Sequence, residues 1–189
     1  MTLRYLLPLL LAAAPLAVSA QVAEAQTRLK TAVTEVLAVA DRTANRGALP
    51  EKLRPVLQKY VNFDTMTKRA VGPGWKQFTS AQQQEASKLF STLIIRSYSG
   101  KFTPGEHPDI TYKPAVSLGA DRVDVPTSMV YKGSHYTVVY RMEQMHITDV
   151  VIEGVSLVAN YRSQLDAQYK KGGATAVISS LTQSVSRPQ

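Results

Sequence analysis

Three histidines, His107, His135 and His146, are the side chains best placed by type for acid–base or metal chemistry near neutral pH. No two of them stand at the HxxxH spacing of a helical metal pair. The 189 residues include no cysteine, so no thiolate can complete a metal site or act as a nucleophile. No GxSxG turn occurs, and the glycine-rich pieces lack phosphate-loop spacing. One carboxylate pair stands out, Asp149 and Glu153. On a strand these share a face but lie roughly 13 Å apart, too far to share a proton. They are expected as surface or salt-bridge residues, with His146 as a polar residue at a strand start. The inventory points to a binding protein rather than an enzyme. A small isomerase with a conical pocket is the enzyme class that a helical layer on a curved sheet leaves open.

The pair sits in Ile147–Tyr169, around which the chain is organised. The stretch opens as a strand, with Val150 and Ile152 on the face toward the helices and Asp149, Val151 and Glu153 on the other. Gly154 interrupts it, Val155–Ala159 is a short apolar run, and Ser163 with Asp166 predicts a helix start. Upstream, apolar residues at helical spacing predict helices over Val22–Asp41, Glu51–Tyr60 and Thr65–Val71, the last capped by Asp64. The longest helix, Ala81–Tyr98, carries a Ser80-x-x-Gln83 capping box and an apolar stripe that includes Leu89, Phe90, Leu93, Ile94 and Tyr98. Strands are predicted at Ile110–Leu118, Arg122–Tyr131, His135–Glu143 and Met145–Glu153. Pro126 marks an edge or bulge, and Lys132-Gly133-Ser134 a hairpin. Helices over Ser163–Lys170 and Thr175–Thr182, separated by Gly172-Gly173, end the fold.

Residues 1–20 read as a signal peptide: Arg4, an apolar run over Tyr5–Val18, then Val18-Ser19-Ala20. The run is too short to cross a bilayer as a helix, which needs about 20 residues. Residues 21–183 are expected to form a single domain, helical over 21–102 and strand-rich over 103–183, with 184–189 a flexible tail. Export without disulfides leaves burial as the source of stability. The chain carries a formal charge of +8, and residues 21–79 alone hold ten Lys/Arg against five Asp/Glu. Arg28, Lys52, Arg54, Lys68 and Arg69 are therefore candidates for an electropositive docking surface, facing acidic proteins or anionic membranes rather than nucleic acid.

Two blocks resemble a known family. Asp149-Val150, Glu153-Gly154-Val155-Ser156-Leu157 and Asn160-Tyr161-Arg162-Ser163 are similar to the C-terminal signature of the MlaC (toluene-tolerance) family of periplasmic phospholipid-binding proteins. Phe63-Asp64, Met66, Ala70, Gly72, Trp75 and Phe78 agree with it in the right order. The chain departs from the family pattern at Met145 and Thr148, where an aromatic and a tyrosine are usual. The resemblance implies an α+β fold, with helices wrapped around a twisted, mostly antiparallel sheet of about four strands. An apolar cavity of the cystatin/NTF2-like type would lie inside. It also implies a soluble periplasmic carrier that moves phospholipid between membrane complexes and so maintains outer-membrane lipid asymmetry. Its partners would be an inner-membrane ABC transporter with an MCE-domain protein, and an outer-membrane lipoprotein–porin complex. Phospholipid would be cargo rather than cofactor, no metal is implied, and the protein is expected to be a monomer. The cavity candidates are Phe63, Met66, Leu89, Phe90, Leu93, Ile94, Tyr98, Val138, Tyr140, Met142, Val150, Ile152, Val155 and Tyr161. Asn160 and Arg162 read as a structural junction. Two alternatives share the composition: a carrier of another apolar lipid such as a hopanoid, and a periplasmic adaptor with a filled core.

Overall fold

The computed structural model describes residues 14–101, 103–119 and 121–187. Four helices come first: α1 (Ala14–Asp41), α2 (Leu49–Tyr60), α3 (Phe63–Val71) and α4 (Ser80–Ser99). Most of the signal peptide expected over residues 1–20 lies outside the described residues, and the chain is already helical from Ala14.

Two predicted caps shift by a residue or two. Asn62 rather than Asp64 caps α3, its side chain accepting from Thr65 N at 2.9 Å, which puts Asp64 in the positively polarised first turn. The capping box of α4 is Thr79 with Gln82, the register in which the cap residue is extended. Gln83 instead donates to the carbonyl of Trp75 at 3.2 Å, tying the helix to the turn before it.

The sheet has six antiparallel strands rather than about four: β1 (Asp109–Tyr112), β2 (Val116–Ser117), β3 (Arg122–Tyr131), β4 (Ser134–Glu143), β5 (His146–Ile152) and β6 (Val155–Ser156). The order is β1-β3-β4-β5-β6, with β2 following β1 along the same edge of β3. The strand predicted over Ile110–Leu118 is thus split in two, and proline chemistry accounts for the break. Pro126 of β3 accepts from Lys113 N at 2.9 Å but has no N–H to return. The Lys113 carbonyl is taken instead by Gln26 of α1 at 3.1 Å, and Pro114 follows. Pro126 therefore lies inside the sheet, with its missing donor turned toward the interrupted edge.

The last helix, α5 (Leu157–Ser186), starts six residues before Ser163. Ser156 is its cap, accepting from Ala159 N at 3.0 Å, and Asp149 of β5 supports it by accepting from Val158 N at 3.1 Å and Ser156 Oγ at 2.6 Å. Gly172 and Gly173 leave helical geometry and kink α5 where the break was predicted. Of the tail expected over 184–189, residues 184–186 belong to α5, and Pro188 and Gln189 lie outside the described residues.

Asp149 corrects a second expectation. It is buried, as is Val151 on the same face, because the start of α5 covers them. The face of β5 turned away from α1 meets protein rather than water, and only Glu153, in the following turn, is exposed.

Two apolar cores result. One lies among the helices and gathers Leu53, Met66, Phe90, Ile95, Val177 and Leu181. The other lies between α1 and the sheet, with Ala25 and Leu29 against Val123, Val125, Met142 and Ile147. The stripe on α1 divides between them: Val22, Ala25, Leu29 and Val33 face the sheet, while Val36, Val39 and Ala40 join the helices. Among the described residues no helix is long and apolar enough to cross a membrane.

Candidate functional site

The inner face of the sheet, the one α1 crosses, is covered unevenly. Its end near the β4–β5 turn is filled by the second core. Farther along, toward the β3–β4 turn, Ile110, Met129, Tyr136 and Ile152 project from the same face of four strands, as strand alternation and the pairing register require. Each is only half buried and none belongs to either core. Val138 is buried among them, and Leu37, one turn beyond Val33 on α1, is likewise half buried and outside both cores.

Polar contacts brace this end. Asp41, the last residue of α1, accepts from Gly105 N at 3.0 Å and pairs with His107 at 2.8 Å. Both contacts hold its carboxyl below the ordinary range. Tyr131 donates to the Lys101 carbonyl at 3.1 Å, and Lys132 pairs with Glu106 at 2.8 Å. The segment after α4 is thereby tied to both α1 and the β3–β4 turn.

Two phenols along this face, Tyr140 and Tyr112, are desolvated. Burial pushes Tyr140 up to about 12, with the phenol of Tyr112 adding to the shift, and burial also raises Tyr112 itself. At the end of α4, burial and then the neighbouring Tyr161 raise Tyr98.

The cavity candidates fall into distinct settings. Phe63, Met66, Phe90, Leu93 and Ile94 lie in the helical core, with Leu89 and Tyr161 packed on it. Phe90 at 0 % exposure and Met66 at 1 % keep no free surface with which to line a space in this structure. Tyr161 meets the Phe90 ring edge-on at 5.2 Å. Met142 belongs to the sheet core, with Tyr140 and Val150 against it. Val138 and Ile152 lie on the unevenly covered face, Tyr98 is partly exposed, and Val155 stands 60 % exposed beside the β5–β6 turn. Leu37, Ile110, Tyr112 and Met129 join this face although the sequence reading did not single them out. For the three strand residues the signal was the same period-two alternation, and for Leu37 it was the helical spacing of α1.

A separate cleft of about 930 Å³ opens between α2, α3 and α4. Arg54, Gln58, Asn62, Gln84, Lys88 and His146 line it, with Val61 and Phe63 as its only large apolar walls. Such a lining does not suit hydrocarbon. Among the described residues no three His, Asp or Glu side chains come together as a metal site.

The five candidate docking cations divide. Arg28 donates to the carbonyls of Met145 at 2.6 Å and Lys59 at 3.0 Å, and lies over the Tyr60 ring. Arg69 makes a two-pronged contact with Glu143 at 2.7 Å and donates to Thr148 at 3.0 Å. Arg54 pairs with Glu51 and reaches Thr92. Lys52 and Lys68 are exposed. Of the predicted junction residues, Asn160 is exposed and its carbonyl accepts from Ser163, while the Arg162 guanidinium lies against Gly72.

The family model described as MlaC protein matches residues 27–183. A similar solved structure is that of a phospholipid-binding protein from Ralstonia solanacearum in complex with a phospholipid. It shares 27% identity at a TM-score of 0.77, over 85% of this chain and 96% of that one. No curated protein matches the chain.

Proposed function

The chain belongs to the MlaC family, and from that premise we propose that it is a periplasmic phospholipid carrier whose residues 21–183 form the lipid-binding domain. The acyl chains lie between the helices and the inner face of the sheet, in a cavity of the cystatin/NTF2-like type. The carrying observation is the half-buried apolar surface of Ile110, Met129, Tyr136 and Ile152, left over between two separately filled cores. A domain that needed only stability would fill that face. The Ralstonia protein of similar fold, solved with a phospholipid, supports the same reading.

The physical demand is clear. Each methylene exposed to water costs roughly 0.8 kcal/mol, so a free diacyl lipid does not cross an aqueous gap at a useful rate. Aliphatic walls repay that cost, and headgroups left outside allow several lipid classes to be carried. The carrier exchanges lipid with an inner-membrane ABC transporter bearing an MCE-domain protein and with an outer-membrane lipoprotein–porin complex. Exposed cations such as Lys52 and Lys68 speed those encounters, and no bond-making step is needed. Exported protein purified without detergent and extracted into organic solvent should yield phospholipid by mass spectrometry, near one lipid per chain. A lipid-free extract from folded protein would overturn the carrier, and an extract of hopanoid alone would change its cargo.

A further inference from the structure

Tyr140 stands near the middle of β4 with Val125 and Val150 as its cross-strand neighbours on the inner face. Its hydroxyl makes no hydrogen bond among the described residues. Yet among the described residues no side-chain oxygen is both enclosed and unpaired, so this hydroxyl keeps accessible surface. The ring is deep enough for burial to hold its proton firmly, which makes it a donor at any physiological pH. Tyr112 faces the same side from β1, and its hydroxyl is likewise without a hydrogen-bond partner among the described residues. A phenol that only packs could be phenylalanine. One that is deep, flanked by valines and open at its oxygen is set to meet an acceptor that arrives with a ligand.

The acceptor is constrained by the surroundings. A charged phosphate placed between two valines would lose its hydration there, whereas the exposed Lys30, its ammonium 5.2 Å from the centroid of the Tyr112 ring, can meet a phosphate that stays in water. A neutral carbonyl loses little and gains the bond. Resting on the carrier reading above, we infer that the Tyr140 hydroxyl, with Tyr112 beside it, donates to an ester carbonyl of the bound phospholipid. The pocket thereby distinguishes ester-linked from ether-linked chains. Ether lipids of equal chain length and headgroup offer the same hydrocarbon and the same phosphate but no carbonyl.

The test is competition between dipalmitoyl phosphatidylglycerol and its dihexadecyl ether analogue for the delipidated full chain, read by mass spectrometry of the retained lipid. Wild type should favour the diester about fivefold, the worth of one neutral hydrogen bond. Tyr140→Phe should bring the ratio near one while melting as a folded protein. Tyr112→Phe should lower the ratio less. Equal retention of the two lipids by wild type would overturn the inference and leave the carrier standing. So would a Tyr140→Phe variant that loses both lipids equally, because the contact would then be to a group they share. Retention of neither lipid by folded wild type would instead overturn the carrier reading itself.

Discussion

Asp149→Ala removes a carboxylate that joins the sheet to the start of α5. In the native protein its Oδ1 accepts from Val158 N at 3.1 Å and from Val150 N at 2.9 Å, while Oδ2 accepts from Ser156 Oγ at 2.6 Å and meets Arg141 at 3.2 Å. The residue is 5 % exposed, so water cannot replace what is lost. Stranding the buried Val158 N–H costs about 1–3 kcal/mol, and the freed Ser156 cap adds about 0.5–1 kcal/mol. The Arg141 side chain is half exposed and regains water, so its lost ion pair contributes little. The expected total is about 1.5–4 kcal/mol, a large part of the roughly 5–15 kcal/mol that holds a domain together. Asp149→Asn keeps an oxygen for Val158 and should cost about half as much. Urea unfolding followed by the fluorescence of Trp75, the sole tryptophan and part of the helical core, reads the change where α5 packs. A shift below about 1 kcal/mol for Asp149→Ala would refute the assignment of this carboxylate as the anchor of α5.

A Cβ added at Gly74 would lie 2.7 Å from the Tyr169 ring, which is stacked on Phe78 with centroids 6.2 Å apart, so Gly74→Ala should cost about 1–3 kcal/mol; a neutral result in urea unfolding would show that this stack yields easily. Val150→Glu and Val151→Glu should both lower the melting temperature, since one side chain faces α1 and the other lies under α5. Only Val150→Glu should also reduce co-purifying lipid, and equal lipid content in the two folded variants would count against the inner face as the lipid wall. Asp41 has a lowered pKa when folded, so the unfolded chain binds more protons as pH falls. Its contribution is present above the ordinary carboxylate pKa and lost as pH drops through the lowered value. Asp41→Asn should therefore flatten part of the acid-side loss of melting temperature, and an unaltered profile would dismiss its role at the brace.

Local patterns in the sequence make much of the fold legible. Alternation in Tyr136, Val138, Tyr140 and Met142 placed them on one face, and the turn at Lys132-Gly133 set the pairing of β3 with β4. Other features depend on partners far away in sequence. Ser156 and Ser163 are equally good caps in isolation, and Asp149, reachable only through the fold, decides between them. The two overlapping capping boxes before α4 look alike until Gln83 finds the Trp75 carbonyl. The site was harder to read than the fold. A helical stripe such as Leu89, Phe90, Leu93 and Ile94 has the same spacing whether it fills a core or lines a space, and only residual exposure separates the two. In the same way a cation count cannot reveal that Arg28 and Arg69 spend their donors inside the molecule.

The brevity of the outer strands bears on solubility. A sheet edge with free amides and carbonyls is a template on which a second chain can add a strand. A protein that leaves apolar surface on one face of its sheet is especially exposed to that failure. Here one edge is broken between β1 and β2, where Pro114 has no amide to offer. The other edge is β6, two residues long and turned at once into α5. The stretch of β5 that β6 leaves unpaired, His146–Val150, is met in part by the chain between α2 and α3: Val61 bridges Ile147, Asn62 N donates to the Ile147 carbonyl at 2.9 Å, and the Asp149 carboxylate takes the Val150 amide. The protein can therefore stay at high concentration without its copies joining edge to edge.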